Sequence, residues 1–232
     1  MAEKHTEIEA VEVNKALESA KGFWEKTGKK LAIGLGIAAV AVAGYFAYKE
    51  YSIKPQTEKA NEQIFKAQQY FAQDSFALAL NGDGTNKGFK YIADTYGSTK
   101  IGNLANYYAG VSYLRMGDFA NAVKYLKGFS TDVPQIQMMA YGALADAYSE
   151  QKNIDESLAN YKKAANTFTK DEGNSSEFLF KAALLSEVNG KNEEALELYK
   201  ELKAKFPKTE KGYQAEKYIY KLSIEKNEFS VK

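Results

Sequence analysis

The sequence predicts an all-α protein in which one apolar helix precedes a solenoid of helical hairpins. Only three prolines occur in 232 residues, so long helices meet few interruptions. Beyond residue 55 the apolar residues follow helical spacing, and no stretch sustains the alternation of a β-strand. A pattern of small and large residues also returns at intervals of 34, 35 and 38 residues, which is typical of stacked helical repeats.

The composition excludes several classes of function. The chain has no cysteine and a single histidine, His5, so cysteine nucleophiles, thiolate metal sites and histidine-based sites in the folded part are excluded. Residues 55–232 hold 23 basic and 23 acidic residues, without the positive excess of a nucleic-acid-binding domain. We therefore predict no catalytic, cofactor or metal site, no nucleic-acid partner and no small-molecule substrate. An enzyme remains the third alternative, although no carboxylate pair stands in a recognisable motif.

An uncharged apolar segment covers residues 31–48, which read LAIGLGIAAVAVAGYFAY. As a helix this segment spans about 27 Å, close to the hydrocarbon core of a bilayer, which is about 30 Å thick. Aromatic residues flank both ends, as they do at membrane interfaces. The segment therefore predicts a transmembrane helix.

Two alternatives to a transmembrane helix stay open. One is a buried helix of a soluble protein. The other is a cleaved signal peptide, because Ala41-Val42-Ala43 resembles a cleavage site. However, the 30 residues before the apolar run hold six glutamates, whereas signal peptides begin with a short basic region.

Lysines near the apolar segment predict its orientation. Four lysines lie in the 15 residues before it and three in the 15 residues after it, so the positive-inside rule places the N-terminus in the cytoplasm. Apolar residues of 6–25 follow helical spacing, which suits either a helix on the membrane surface or a short solvated helix. The expected organisation is a cytoplasmic tail at 1–30, a transmembrane helix at 31–48, a linker at 49–56, a repeat domain at 57–226 and a C-terminal tail at 227–232.

The clearest repeat begins at Asn103. Gly110 is followed by Gly117-Asp118-Phe119 at a turn, then by Ala122, and Pro134 closes the unit. This order resembles the tetratricopeptide repeat (TPR) signature. The resemblance implies antiparallel helix pairs that bury their apolar faces against the next pair.

The same frame fits four times, with starts at Gln69, Asn103, Met138 and Ser176. An apolar stripe over 210–226 predicts a helix that caps the solenoid, and 57–80 is compatible with one unbroken helix. The predicted fold is a TPR-type solenoid of about four units plus a capping helix, with one N-terminal transmembrane helix. Small residues recur on the second helices at Gly88, Ala122, Ser157 and Ala195, and on the first helices at Gly110, Ala145 and Ala183.

The stretch 81–88, NGDGTNKG, is the most site-like segment of the sequence. A phosphate-binding loop requires a Lys-Ser/Thr pair after its last glycine, and a calcium loop requires acidic residues at fixed positions. Neither template fits. We therefore interpret the segment as a turn between helices that uses Gly and Asn for positive φ.

The resemblance to TPR proteins places candidate binding residues on the first helix of each unit, which lines the groove of the solenoid. A mixed apolar and charged groove suits an amphipathic helix or an unfolded segment of a partner protein. The capping helix or the long first helix could cover some of these positions. The candidates are Tyr107, Val111, Arg115, Met139, Asp146, Glu150, Phe180, Leu184 and Val188.

Two short segments resemble a narrower family. Residues 23–32, FWEKTGKKLA, and 218–224, YIYKLSI, are similar to segments of YfgM-like ancillary subunits of the SecYEG translocon. The turn at 82–84 also resembles TPR proteins of Bacteroidetes-type bacteria.

The YfgM-like resemblance implies a single-pass protein of the bacterial inner membrane with a periplasmic TPR domain. Such a protein would associate with SecYEG through its transmembrane helix and tail. Its solenoid would bind periplasmic chaperones or emerging, unfolded clients. The alternative is an envelope scaffold or assembly factor for another membrane complex.

Overall fold

The structure is a computed structural model that describes residue 15 and residues 17–225. Half of the predicted cytoplasmic tail, at 1–14 and 16, and the whole predicted C-terminal tail at 227–232 lie outside the described residues. The chain divides into two compact units at Pro55. The described residues form helices and connecting turns without a β-strand, as the sequence predicts.

The first unit contains the apolar helix α1, Lys29–Tyr48. This helix is long and apolar enough to cross a membrane, and none of its apolar window is buried. Short π-helical turns at Trp24–Gly28 and Lys49–Ile53 flank it. The exposed apolar surface of α1 is what a lipid environment would cover.

Each π turn has a local cause. At the first turn the ring of Trp24 lies against Gly28, where an added Cβ would approach the Trp24 Cε3 atom to 2.3 Å. The second turn precedes Pro55, which lacks an N–H group and whose ring crowds the carbonyl of residue 51, so a wider turn relieves the clash. Residues 49–56, which we predicted to be a linker, are therefore helical.

The second unit consists of helical hairpins followed by one further helix. The first pair is formed by α2 and α4, with the short helix α3 between them. The three regular hairpins are α5/α6, α7/α8 and α9/α10, and α11 follows them. The bounds are α2 Lys54–Ala72, α3 Phe76–Asn81, α4 Phe89–Tyr96, α5 Lys100–Arg115, α6 Phe119–Lys127, α7 Pro134–Glu150, α8 Ile154–Thr167, α9 Glu172–Val188, α10 Asn192–Lys205 and α11 Glu210–Glu225.

Small residues allow the two helices of each hairpin to approach closely. A Cβ added to Gly110 on α5 would lie 2.5 Å from Leu126 Cγ on α6. In the next hairpin the Ser157 hydroxyl on α8 donates to the Ala145 carbonyl on α7 at 2.8 Å. Gly110, Ala145 and Ser157 are all positions that the repeat frame identified as small, which agrees with the frame for these hairpins.

The turns inside the hairpins differ in whether they carry the glycine that the repeat signature has at this place. Gly117 and Gly190 have φ of 79° and 73°, the left-handed region that glycine adopts without steric cost. Lys152 takes the equivalent place between α7 and α8 with φ of 59°. A lysine in this region carries a backbone strain that glycine would avoid.

The prediction of one unbroken helix over 57–80 is wrong. Helix α2 ends at Ala72, and Asp74 adopts φ of 54°. The Ser75 amide donates to the Tyr70 carbonyl at 2.9 Å, which is the bond of a Schellman motif. The rings of Phe71 and Phe76 pack edge to face across this turn at 5.5 Å, so aromatic packing stabilises the reversal.

Helix α11 closes the apolar core as the predicted cap. Ala215 and Leu222 are buried in the core cluster formed with α9 and α10. The Tyr218 ring stacks on Tyr199 of α10 with centroids 4.7 Å apart. By contrast, Tyr213, which belonged to the predicted apolar stripe, is 70% exposed.

We expect Ala122→Leu to lower the free energy of unfolding by about 1–3 kcal/mol through overpacking between helices. Ala122 is fully buried, in a cluster with Ala105 and Ala109 of α5. Ala120, on the same helix, is exposed, so Ala120→Leu is a matched control with a change within about 0.5 kcal/mol. Urea unfolding of both variants makes the measurement. Equal stabilities of the two variants would show that α6 does not pack in the frame described.

Candidate functional site

An open groove lies along the first helices of the three regular hairpins. Its volume is about 810 Å³, within the range of pockets that bind ligands or peptide side chains. Helices α5, α7 and α9 provide most of its walls, and Tyr161 of α8 lies at its base. The lining residues are Tyr107, Val111, Leu114, Arg115, Gly117, Phe119, Met139, Ala143, Asp146, Ser149, Glu150, Tyr161, Asn174, Glu177, Phe178 and Lys181.

Most of the residues predicted from the repeat frame line this groove. All candidates on α5 and α7 are among the lining residues, because the frame places them on one face of successive helices. They are Tyr107, Val111, Arg115, Met139, Asp146 and Glu150.

The three candidates on α9 lie elsewhere. The Phe180 ring is 7% exposed and packs against Tyr199 and Tyr218 at 5.8 and 5.4 Å. Helix α11 thus covers Phe180. This capping helix packs on α9 in the way that the first helix of another hairpin would. Leu184 and Val188 are 37% and 70% exposed, but they do not line the groove. Instead, α9 contributes Asn174, Glu177, Phe178 and Lys181, which the sequence analysis did not select.

One wall of the groove is largely apolar. Val111 and Leu114 of α5 face Met139 of α7, whose side chain is 39% exposed. The Tyr107 ring continues this wall and packs on Phe129 with centroids 5.3 Å apart. An exposed apolar strip of this kind favours contact with apolar side chains of a partner.

A polar cluster forms the base of the groove. The Asp146 carboxylate accepts a hydrogen bond from the Tyr161 hydroxyl and pairs with the Lys181 ammonium at 2.9 Å. The Lys181 Nζ atom also lies 5.6 Å from the centroid of the Tyr161 ring. The cluster therefore joins three helices, since Asp146 lies on α7, Tyr161 on α8 and Lys181 on α9.

The same arrangement recurs one repeat further along the chain. The Glu187 carboxylate on α9 accepts from the Tyr199 hydroxyl of α10 at 2.9 Å and pairs with Lys221 of α11 at 2.7 Å. In both places a carboxylate on a first helix binds the tyrosine of its own hairpin and the lysine of the next first helix. These two tyrosine–carboxylate–lysine clusters connect successive repeats.

The tyrosines of the two clusters stay protonated. Burial raises the pKa of Tyr161, and the neighbouring carboxylates of Asp146, Glu150 and Glu177 raise it further. Burial likewise raises the pKa of Tyr199, with Glu187 as the next cause. Both hydroxyls are therefore permanent hydrogen-bond donors at neutral pH, as a structural link requires.

The sequence carried a partial signal for these clusters. Tyr161 and Tyr199 occupy the same position of the repeat frame, four residues after the small residues Ser157 and Ala195. Lys181 and Lys221 lie on the next first helix in each case.

The glycine-rich turn at 81–88 is held by its own hydrogen bonds. The Asp83 carboxylate accepts from the backbone amides of Thr85 and Asn86 at 2.9 and 2.6 Å, and from the Tyr70 hydroxyl at 2.7 Å. These bonds, the Asn86 amide first, lower the pKa of Asp83. Gly82 and Gly84 both have positive φ. The segment is a structured turn between α3 and α4, as we interpreted it, but positive φ occurs at Gly82 and Gly84 and at neither Asn81 nor Asn86.

The described residues contain no group of three or more His, Cys, Asp or Glu side chains arranged to hold a metal ion. The groove instead presents apolar surface, charged side chains and hydrogen-bond donors. Such a lining can bind a protein segment by apolar burial and can orient it by charge.

We expect Tyr161→Phe to lower the free energy of unfolding by about 1–2 kcal/mol, because Asp146 loses a hydrogen bond in a partly buried cluster. Tyr141→Phe is the control, since Tyr141 is also partly buried and its ring lies under Lys163. Thermal or urea unfolding measures both variants. If both substitutions had the same effect, the bond to Asp146 would not stabilise the fold.

Two family models of helical repeats match this chain. A family model described as a tetratricopeptide repeat-like domain matches residues 21–174, and a tetratricopeptide repeat model matches residues 177–209. Two crystal structures of a Podosopora anserina chain, described as a kinesin light chain with nearly identical TPR-like repeats, are also similar. Each is 15% identical, with a TM-score of 0.48, and the alignment covers 76% of this chain and 87% of that chain.

A comparison with curated proteins found no match. The first family model covers more than half of the chain, and it begins before the apolar helix and ends after the α7/α8 hairpin. The chain therefore belongs to the tetratricopeptide repeat-like domain family.

Proposed function

We propose that the protein is a membrane-anchored adaptor of the bacterial envelope that associates with the SecYEG translocon. Its repeat domain would face the periplasm and bind chaperones or emerging, unfolded proteins. The observation that supports this most directly is the open groove along α5, α7 and α9, because tetratricopeptide repeats are protein-interaction scaffolds.

The apolar helix supports the membrane anchor. Every described side chain of α1 is exposed, although residues 31–48 are almost wholly apolar. Exposure of this much apolar surface to water would be unfavourable, whereas insertion into lipid removes the surface from water. The lysine distribution favours an N-terminus in the cytoplasm and a repeat domain on the other side of the membrane.

The sequence resemblance supports the translocon. Residues 23–32 resemble YfgM-like subunits at the start of the apolar helix, and in the structure Trp24 packs on Gly28 within this motif. We propose that the transmembrane helix and tail contact SecYEG, while the groove binds a soluble partner. These two contacts are separable by mutation.

Deletion of residues 31–48 should release the second unit as a soluble protein that keeps its helical circular dichroism. The reason is that the apolar core of the second unit is formed within residues 56–225. Fractionation into membrane and soluble material, with circular dichroism of the product, makes the measurement. Aggregation of the fragment with loss of its helical signal would contradict the assigned boundary.

Affinity purification of the full-length protein from membranes in mild detergent, followed by mass spectrometry, tests the partners. We expect SecYEG subunits and periplasmic chaperones or client proteins. In Met139→Glu, a charge in the apolar wall should remove the chaperones and clients but retain SecYEG. The control is Leu78→Glu on α3, because Leu78 is 42% exposed, close to the 39% of Met139, and lies outside the groove.

The outcomes of this experiment separate the alternatives. Another envelope complex in place of SecYEG would support the scaffold or assembly-factor function and overturn the translocon assignment. Identical partners for wild type and Met139→Glu would show that the groove is not the binding surface.

A further inference from the structure

The charged side chains that line the groove differ in how far they are already paired within the protein. Lys181 and Asp146 neutralise each other in the polar cluster, and Asp146 is also bound by Tyr161. The remaining charged side chains of the lining are Arg115, Glu150 and Glu177. Glu177 lies 3.3 Å from Lys211 of α11, a partly exposed pair of the kind that is weak in water. Counting the paired residues as well, the groove lining holds three carboxylates, on Asp146, Glu150 and Glu177, and two cations, on Arg115 and Lys181.

Glu150 stands where helix stability disfavours it. It is the last residue of α7, which has no basic residue in its last turn. A carboxylate at a helix C-terminus is repelled by the partial negative charge of the unpaired carbonyls, whereas a cation is favoured there. Arg115 at the end of α5 follows that rule. Glu150 departs from this preference for a cation at the helix C-terminus, at a position that lines the groove.

Three carboxylates act together on the base of the groove. Asp146, Glu150 and Glu177 each contribute to the raised pKa of the buried Tyr161 hydroxyl, after burial itself. These three carboxylates therefore lie near the Tyr161 hydroxyl, together with the Lys181 ammonium that pairs with Asp146. The apolar wall of Val111, Leu114 and Met139 lies beside it.

We propose that the groove selects protein segments that combine apolar side chains with lysine or arginine. The apolar side chains would pack on Val111 and Met139, and the basic groups would pair with Glu150 and Glu177. This inference rests on the proposed function, because it specifies which segments the same groove binds. Arg115, the last residue of α5, would disfavour a basic group beside it.

The test uses the full-length protein in nanodiscs of phosphatidylcholine, whose zwitterionic surface limits direct binding of basic peptides. Three fluorescent amphipathic peptides share the same apolar residues and differ only in having lysine, glutamine or glutamate at the remaining positions. Fluorescence anisotropy measures their affinities, with empty nanodiscs as the baseline. We expect the lysine peptide to bind about threefold to tenfold more tightly than the glutamine peptide, as two partly exposed ion pairs allow.

Variants assign this preference to the groove. Glu150→Gln combined with Glu177→Gln should remove the preference for the lysine peptide over the glutamine peptide. The control is Glu156→Gln on α8, which makes a single Glu→Gln change at a residue that lines a separate cavity of about 280 Å³. High salt should reduce the preference of the wild type, because exposed ion pairs are screened.

The outcomes distinguish this proposal from the proposed function. Equal affinities for the three peptides, or tighter binding of the glutamate peptide, would overturn the selectivity while the groove remained a binding site. A preference for lysine that survives in the double variant would also overturn it. Failure of all three peptides to bind above the empty nanodiscs would overturn both the selectivity and the groove as a site for protein segments.

Discussion

The close approach of the two helices in each hairpin is the contact on which the rest of the repeat domain depends. Gly110 leaves no room for a Cβ beside Leu126, and Ala145 and Ser157 are close enough for a direct hydrogen bond. Larger residues at these positions would push the helices apart. The large residues that follow, such as Leu158 and Tyr199, could then no longer fill the space in the core that they occupy now. The small residues therefore set the spacing, and the large residues supply the burial.

Spacing within a hairpin does not by itself align one hairpin with the next. That alignment needs contacts between successive first helices, and the two tyrosine–carboxylate–lysine clusters provide it. Each carboxylate is bound by a tyrosine from its own hairpin and by a lysine from the next first helix. Because α7, α9 and α11 are joined in this way, their exposed faces stay in one row. The groove runs along this row and α5. The cluster of Asp146, Tyr161 and Lys181 at its base therefore also maintains the shape of the groove.

The repeat frame predicted positions that depend on side-chain size, and it failed where the chain departs from the repeat. Buried small residues such as Ala122 and Ala183 could be located from the sequence, because larger side chains do not fit at those positions. The end of α2 at Ala72 was missed because Gln73, Asp74 and Ser75 form a Schellman turn whose aromatic contact is not visible as a break in helical spacing.

Phe180 was misplaced for a different reason. It has the frame position of a groove residue, but a frame taken from interior units cannot show that α11 covers it. Lys181 was missed because neighbouring units have no charged residue at its position, Ala143 being the equivalent on α7. Its role depends on Asp146 of the preceding hairpin, which is a contact between repeats and not a property of the repeat itself.

The turn between α7 and α8 shows how local stability and the groove are related. Lys152 replaces the usual glycine and adopts positive φ, and the Asn153 side chain forms no cap with α8, whereas Asp118 caps α6. Glu150 at the end of α7 adds an unfavourable charge beside the helix carbonyls. Three local preferences are thus broken within four residues, and the hairpin is held instead by the Ser157–Ala145 and Tyr161–Asp146 bonds. Proteins depart from local rules in this way mainly where a surface serves another purpose, and this turn borders the acidic side of the groove. The rigid packing of the hairpin is what allows the acidic side chain to stay at a position that helix formation alone would not select.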